Sequence, residues 1–332
     1  MTSWFWGRRQ QGKPDKAQAE TGSGRLGDGD EGFTHLSEAG PDNGVFALSE
    51  CRERPDHADR GGSRVVRLRK SQYDASPQLA KGLKSCDLNH NSKDCDGKQA
   101  IDLELAIATD HKEVTIIQPS IQARKSDQTT QMIYDAEMAW MEAKQGAKDC
   151  LLMSTSFDLS KAEKQKEVTF PTSMETEVEI VHWIQDFRFS TEGEEPYVCD
   201  FWPSNVTSKG FTANADCSES AERLTVTWIV YKKGKAKVAS GSFSTDDIED
   251  RDDNDAQNSG RVEFAEGAFN KAPAVLVSLS QFDLAGGRDL RIGVRVGGIS
   301  EKGFTWHLNT WGEHSEDALR SAEGTWIALG FA

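Results

Sequence analysis

The 332-residue chain reads as an all-β protein, with tandem copies of one small antiparallel β-sandwich behind a disordered N-terminal tail. Three observations predict this. A phrase built around one tryptophan occurs three times, as Tyr134-Asp-Ala-Glu-Met-Ala-Trp140, Glu222-Arg-Leu-Thr-Val-Thr-Trp228 and Arg320-Ser-Ala-Glu-Gly-Thr-Trp326. The copies are spaced by about 90 residues, longer than a solenoid unit and long enough for a small domain. Between them run short stretches of alternating apolar residues bounded by glycines, the pattern of strands joined by tight turns.

Residues 1–40 carry almost no aliphatic side chains after Trp6. Such a composition cannot bury enough apolar area to offset the entropy of ordering, so the tail is expected to be disordered. Trp4, Phe5 and Trp6 beside Arg8 and Arg9 offer a short docking motif or an unstructured end.

The first copy, 41–143, is the most altered. It opens with a small-residue turn and a phenylalanine, Asp42-Asn-Gly-Val-Phe46, and has alternating Leu103, Leu105 and Ile107. An inserted loop is expected from Lys84 to Gln99, carrying Cys86 and Cys95, and Ala136–Lys144 could read as strand or short helix. The second copy, 150–234, opens with Ser154-Thr-Ser-Phe157 and continues through Val178–Ile184 and Tyr197–Trp202. Its Lys209-Gly-Phe-Thr212 matches Lys302-Gly-Phe-Thr305 of the third copy. That third copy, 238–332, is the clearest. Ser240-Gly-Ser-Phe243 opens it, Val275, Val277 and Leu279 share one face of a strand, and Leu290, Ile292, Val294 and Val296 alternate in the next. Short strands at regular spacing with glycine-rich turns argue for a sandwich.

The net charge of −15 argues against a phosphate backbone as partner, since that needs clustered Lys and Arg. No run approaches the ~20 apolar residues of a membrane helix. The N-terminus lacks the apolar core of a secretory leader, which points to the cytoplasm with secretion left open. Six cysteines and no CxxC make a zinc ribbon a poor reading. Cys199 and Cys217 lie in one copy on strands expected to be adjacent, so they could pair in an oxidising compartment or stay free in a reducing one.

A search for catalytic sets finds none. The seven histidines form no HExxH, and there is no GxSxG, no phosphate-cradling glycine loop and no GxGxxG. Two acidic stretches begin like calcium loops. One starts at Asp252 but has Gln257 where the sharp-turn glycine belongs; the other starts at Asp87 but ends on Lys98. Both read as solvated loops. Neither an enzyme nor a bound cofactor or metal is expected.

In the third copy Ser240-Gly-Ser-Phe243, Asp253-Asn254, Ser259-Gly-Arg-Val-Glu-Phe264, Ser280-Gln-Phe-Asp283, Leu290-Arg291, Thr310-Trp311 and Gly324-Thr-Trp-Ile327 together resemble the H-type lectin domain. The family includes the snail agglutinins and the C-terminal domain of the discoidins. The resemblance implies a six-stranded antiparallel sandwich that trimerises about a threefold axis. It also implies binding of galactose or N-acetylgalactosamine in the cleft between neighbouring domains, so the expected partner is a carbohydrate or glycoconjugate. By position it assigns the sugar to Asp253 and Arg291, with Trp311 on a loop beside them and Asn254, Gly312 and Arg320 at neighbouring motif positions. The chemistry suits a neutral sugar, because vicinal hydroxyls donate to a carboxylate and accept from a guanidinium in charge-assisted bonds. Arg291 could instead pair with Asp289 or Asp283, and Trp311 could be core.

Departures from the family pattern are equally informative. Gly312 follows the tryptophan where a polar residue is usual, the stretch from Glu313 to Ala318 is long, and Arg320 stands where an aromatic is expected. In the second copy Val198, Ser218 and Glu222 occupy the arginine, tryptophan and aromatic positions, which leaves that site dead. The first copy keeps only the aromatic, Tyr134. Three linked copies of a trimerising domain suggest a pseudo-trimer within one chain, in which Tyr134 could complete the pocket of Arg291 across a seam. The competing class is a protein-interaction scaffold made of degenerate copies.

Overall fold

The computed structural model describes residues 43–51, 61–68, 76–91, 98–110, 116–122, 133–143, 149–174, 177–248, 257–312 and 318–330. The expectations for the tail with Trp4, Phe5 and Trp6, for Cys95, for Asp252 to Asn254 and for 313–317 fall outside these residues.

Among the described residues there is no α-helix. The first third of the chain supplies β1 (Asn43–Ala47), β2 (Gly61–Ser63), β3 (Val66–Arg67), β4 (Gln78–Leu88), β5 (Ala100–Asp110), β6 (Ile116–Gln122) and β7 (Ile133–Ala143). The middle third supplies β8 (Cys150–Asp158), β9 (Gln165–Thr169), β10 (Val178–Ser190), β11 (Tyr197–Thr207), β12 (Gly210–Cys217) and β13 (Ala221–Lys232). The last third supplies β14 (Val238–Ser244), β15 (Gln257–Glu263), β16 (Ala274–Leu284), β17 (Leu290–Ser300), β18 (Gly303–Asn309) and β19 (Leu319–Leu329).

Three local expectations are corrected. The small-residue phrases before Phe46, Phe157 and Phe243 are not turns but strands, each paired antiparallel with the tryptophan strand of its own segment. The loop expected from Lys84 begins inside β4, which continues to Leu88. Ala136–Ala143 is strand, because its backbone is held on both sides by β1 and β4.

The strands form three antiparallel sheets, and each sheet is shared by two segments. Their orders are β1-β7-β4-β17-β18-β15, β2-β6-β5-β10-β13-β8 and β14-β19-β16-β11-β12-β9, with β3 also pairing β6. Each segment thus contributes half of two sheets, and the two halves face one another across its core. In the last segment Phe243 of β14 stacks on Trp306 of β18 at 4.8 Å, and Phe304 meets Trp326 edge-on at 5.3 Å. In the middle segment Trp228 meets Phe211 at 4.8 Å. The repeated tryptophan therefore anchors a sandwich core, where its large area contributes most.

Sheets that cross segment boundaries leave three seams, β4 with β17, β10 with β5 and β16 with β11. The strands β4, β10 and β16 also touch one another face to face, and behind them lies a second apolar cluster. Ala80, Val181 and Leu276 meet there with Met141, Ile229 and Ile327, contributed by all three segments. One level further along, the registers place Gly82, Trp183 and Ser278 at equivalent positions opposite Ala139, Thr227 and Thr325. The three are not interchangeable. Trp183 is fully buried, its Nε1 donating to the Thr325 carbonyl at 3.3 Å, and Ser278 donates to the Leu83 carbonyl at 2.7 Å. A Cβ on Gly82 would sit 2.5 Å from Ser278 Oγ and 2.7 Å from Trp183 Cβ. One large, one small and one absent side chain fill a space that three equal ones would overfill or leave hollow.

Candidate functional site

The seams are also where charged side chains meet. The cross-seam register pairs Arg291 with Asp87, Asp102 with Arg188, and Val198 with Asp283. Arg291, Asp102 and Val198 are therefore equivalent positions, as are Asp87, Arg188 and Asp283. Each seam has its own chemistry.

At the first seam, between the first and last segments, the Arg291 Nε donates to Asp87 Oδ1 at 2.9 Å and its Nη2 to Asp289 Oδ2 at 2.7 Å. The other oxygen of Asp87 accepts from Trp311 Nε1 at 3.2 Å. Asp87 thus holds the guanidinium and the indole together from the opposite segment, and sequence reasoning had seen it only as the start of a failed calcium loop. Burial pulls the Arg291 pKa down, but Asp87 and then Asp289 and Tyr134 more than offset this and raise it, so the group is a permanent cation. Thr310 Oγ1 donates to the Arg291 carbonyl at 2.7 Å and pins the strand beneath the loop. Gly312 has φ +108°, and a Cβ there would fall 2.3 Å from Arg291 Nη1. Its role is steric: the guanidinium takes the space that a side chain after the tryptophan would fill. That Nη1 has no hydrogen-bond partner among the described residues.

Trp311 is 37% exposed and Tyr134 38% exposed, so neither is core. The Tyr134 hydroxyl, on β7, accepts from Asn89 Nδ2 at 3.0 Å. The His90 backbone N–H donates to Asp289 Oδ1 at 2.9 Å, and the His90 ring meets the Tyr197 hydroxyl at 2.6 Å. These bonds tie the loop after β4 to both other segments. The seam thus gathers one cation, two partly open aromatic rings and two carboxylates that are already engaged.

The second seam inverts the charges. Arg188 Nη1 lies 3.3 Å and Arg223 Nη2 lies 2.7 Å from the two oxygens of Asp102, and Arg188 Nε lies 2.5 Å from Glu222 Oε2. The Asp102 side chain is 9% exposed and each arginine 19% exposed, so the shared carboxylate is largely shielded from solvent. Asp102→Ala should remove the carboxylate that both arginines share and cost about 2 kcal/mol in urea unfolding, below the full penalty for a buried pair because Arg188 keeps Glu222 and both arginines keep some solvent. The third seam has Val198 opposite Asp283, whose Oδ1 lies 3.5 Å from Arg320 Nη1 on the same segment. Of the sequence-assigned residues, the structure brings together Arg291, Trp311, Gly312 and Tyr134. It places Arg320 on another sheet, at the third seam. Asp253 and Asn254 lie outside the described residues.

The position six residues before the closing tryptophan explains the apparent defect at Arg320. Because β7, β13 and β19 lie one strand away from a seam, Tyr134, Glu222 and Arg320 serve the neighbouring segment's arginine position and not their own. Tyr134 faces the seam of Arg291, Glu222 that of Asp102 and Arg320 that of Val198. One seam therefore combines guanidinium, indole and phenol. Residues 259–329 match the family model of the H-type lectin domain. The match runs from β15 to the end of β19 and includes Arg291, Trp311, Gly312 and Arg320. A match of this kind points to carbohydrate binding in general. Comparison with curated proteins and with solved structures gave no match.

Proposed function

We propose that this chain is a monovalent lectin that takes a galactose- or N-acetylgalactosamine-type sugar at the seam between its first and last segments. The observation that carries this is the convergence of Arg291, Trp311 and Tyr134 from two segments 150 or more residues apart in sequence. Arg291 Nη1 would donate to a ring hydroxyl, and the open indole and phenol would receive the apolar C–H face of the sugar. Asp253 and Asn254, which the resemblance assigns to the sugar, would supply acceptors from the same segment. On this reading the three segments are copies of one domain, boundaries 41–143, 150–234 and 238–332, and the sandwich trimer of the family is reproduced inside a single chain. Covalent linkage then replaces oligomerisation as the means of forming the clefts.

The inverted and apolar seams argue for one site and not three. Titration calorimetry of the full chain with N-acetylgalactosamine, galactose and glucose should give one sugar bound per chain for the first two and none for glucose. A stoichiometry near three would overturn the single-seam reading. No heat with any sugar, together with silence on a glycan array, would return the chain to the class of protein-interaction scaffolds.

A further inference from the structure

We propose that Cys199 and Cys217 are a redox-active dithiol that closes to a cross-strand disulfide inside the middle segment. This goes beyond the sugar reading and does not depend on it. The two residues stand directly opposite one another on β11 and β12. The neighbouring pair is hydrogen-bonded, since Ser218 N–H donates to the Val198 carbonyl at 3.3 Å. Pairs alternate along an antiparallel ladder, so Cys199 and Cys217 occupy the non-hydrogen-bonded kind, in which the Cα atoms approach to about 4.5 Å. That spacing lies inside the range that a disulfide spans, roughly 4.4–6.8 Å. Opposite residues also point to the same face, and here both side chains pack against one core.

The two thiols are unequal in a way that orders the chemistry. Cys199 is 1% exposed, and burial pushes its pKa well up, so it is unreactive toward reagents in solution. Cys217 is partly exposed at the end of β12, and the hydrogen bond from Cys199 holds its pKa down against burial and against Asp200 and Asp216. Lys164, 2.8 Å from Asp216, balances part of that negative charge. With glutathione disulfide as oxidant, the Cys217 thiolate attacks one sulfur, forming a mixed disulfide and expelling one glutathione thiolate. Cys199 then gives up its proton to solvent and attacks the Cys217 sulfur, expelling the second glutathione. The protein loses two hydrogens and two electrons, and one glutathione disulfide becomes two glutathiones. The bond would staple β11 to β12 beside the third seam, where Cys199 pairs with Phe282 of β16.

The test equilibrates the native full chain in glutathione buffers of graded ratio, quenches with acid, alkylates free thiols and maps the peptides. The expected product is a Cys199–Cys217 linked peptide, about 2 Da lighter than the reduced pair, that grows as the buffer becomes oxidising and vanishes with dithiothreitol. Cys199→Ala should stop at a Cys217–glutathione adduct, and Cys217→Ser should leave Cys199 unmodified. The proposal is overturned if the unmutated chain stops at that adduct, keeps both thiols reduced in the most oxidising buffer, or links either residue to another cysteine.

Discussion

Arg291→Ala is expected to weaken sugar binding by about 10–100-fold. A hydrogen bond to a charged group contributes roughly 1.5–3 kcal/mol, and about 1.4 kcal/mol is a factor of ten in affinity. The substitution also leaves Asp87 and Asp289 without the cation that they share, so the seam itself should loosen. Val198→Ala, at the equivalent position of the third seam, should leave binding unchanged. Asp87→Asn separates charge from shape. An asparagine can still accept from Arg291 Nε, but its amide N–H₂ would then face the Trp311 Nε1–H, donor against donor. It should weaken binding less than Arg291→Ala. Equal affinities for the parent chain and Arg291→Ala in glycan-array and calorimetric titrations would remove the seam as the sugar site.

Trp183→Ala should be strongly destabilising, at about 3–5 kcal/mol. The indole is fully buried where three segments meet, and its neighbours Gly82 and Ser278 are too small to collapse into the space. Gly82→Ala attacks the same layer from the other side. Its new methyl would overlap Ser278 Oγ and Trp183 Cβ, and overpacking of this kind costs about 1–3 kcal/mol. Denaturant midpoints measure both. Trp311→Ala is the counterpart at the surface, with a midpoint shifted little and sugar binding lost. A Trp183→Ala midpoint within experimental scatter of the parent would mean that this buried layer does not hold the segments together.

The strands were legible because burial on one face writes a period of two into the chain. Leu290, Ile292, Val294 and Val296 show it, and β17 begins and runs as that alternation predicts. The three tryptophan phrases were legible for the same reason, since each faces a sandwich core. Arg291 and Trp311 carry no such period, and only a resemblance singled them out. Asp87 could not have been found at all. It lies 204 residues from the arginine it binds, in a stretch whose carboxylates and amides looked like a solvated loop. The layer of Gly82, Trp183 and Ser278 was equally hidden, because apolar patterning marks a strand with two covered faces without naming what covers the second.

By itself, then, the order of residues determined that the described residues would be built on strands, wrote one tryptophan phrase three times, and marked the last segment by its likeness to the H-type lectin domain. Which segment faces which was decided only by tertiary structure. Local alternation is a property of neighbours along the chain, whereas a seam depends on side chains hundreds of residues apart having complementary size and charge. The same assembly brought Tyr134 of the first segment to the seam of Arg291, and it closed the other two seams with an inverted ion pair and a valine.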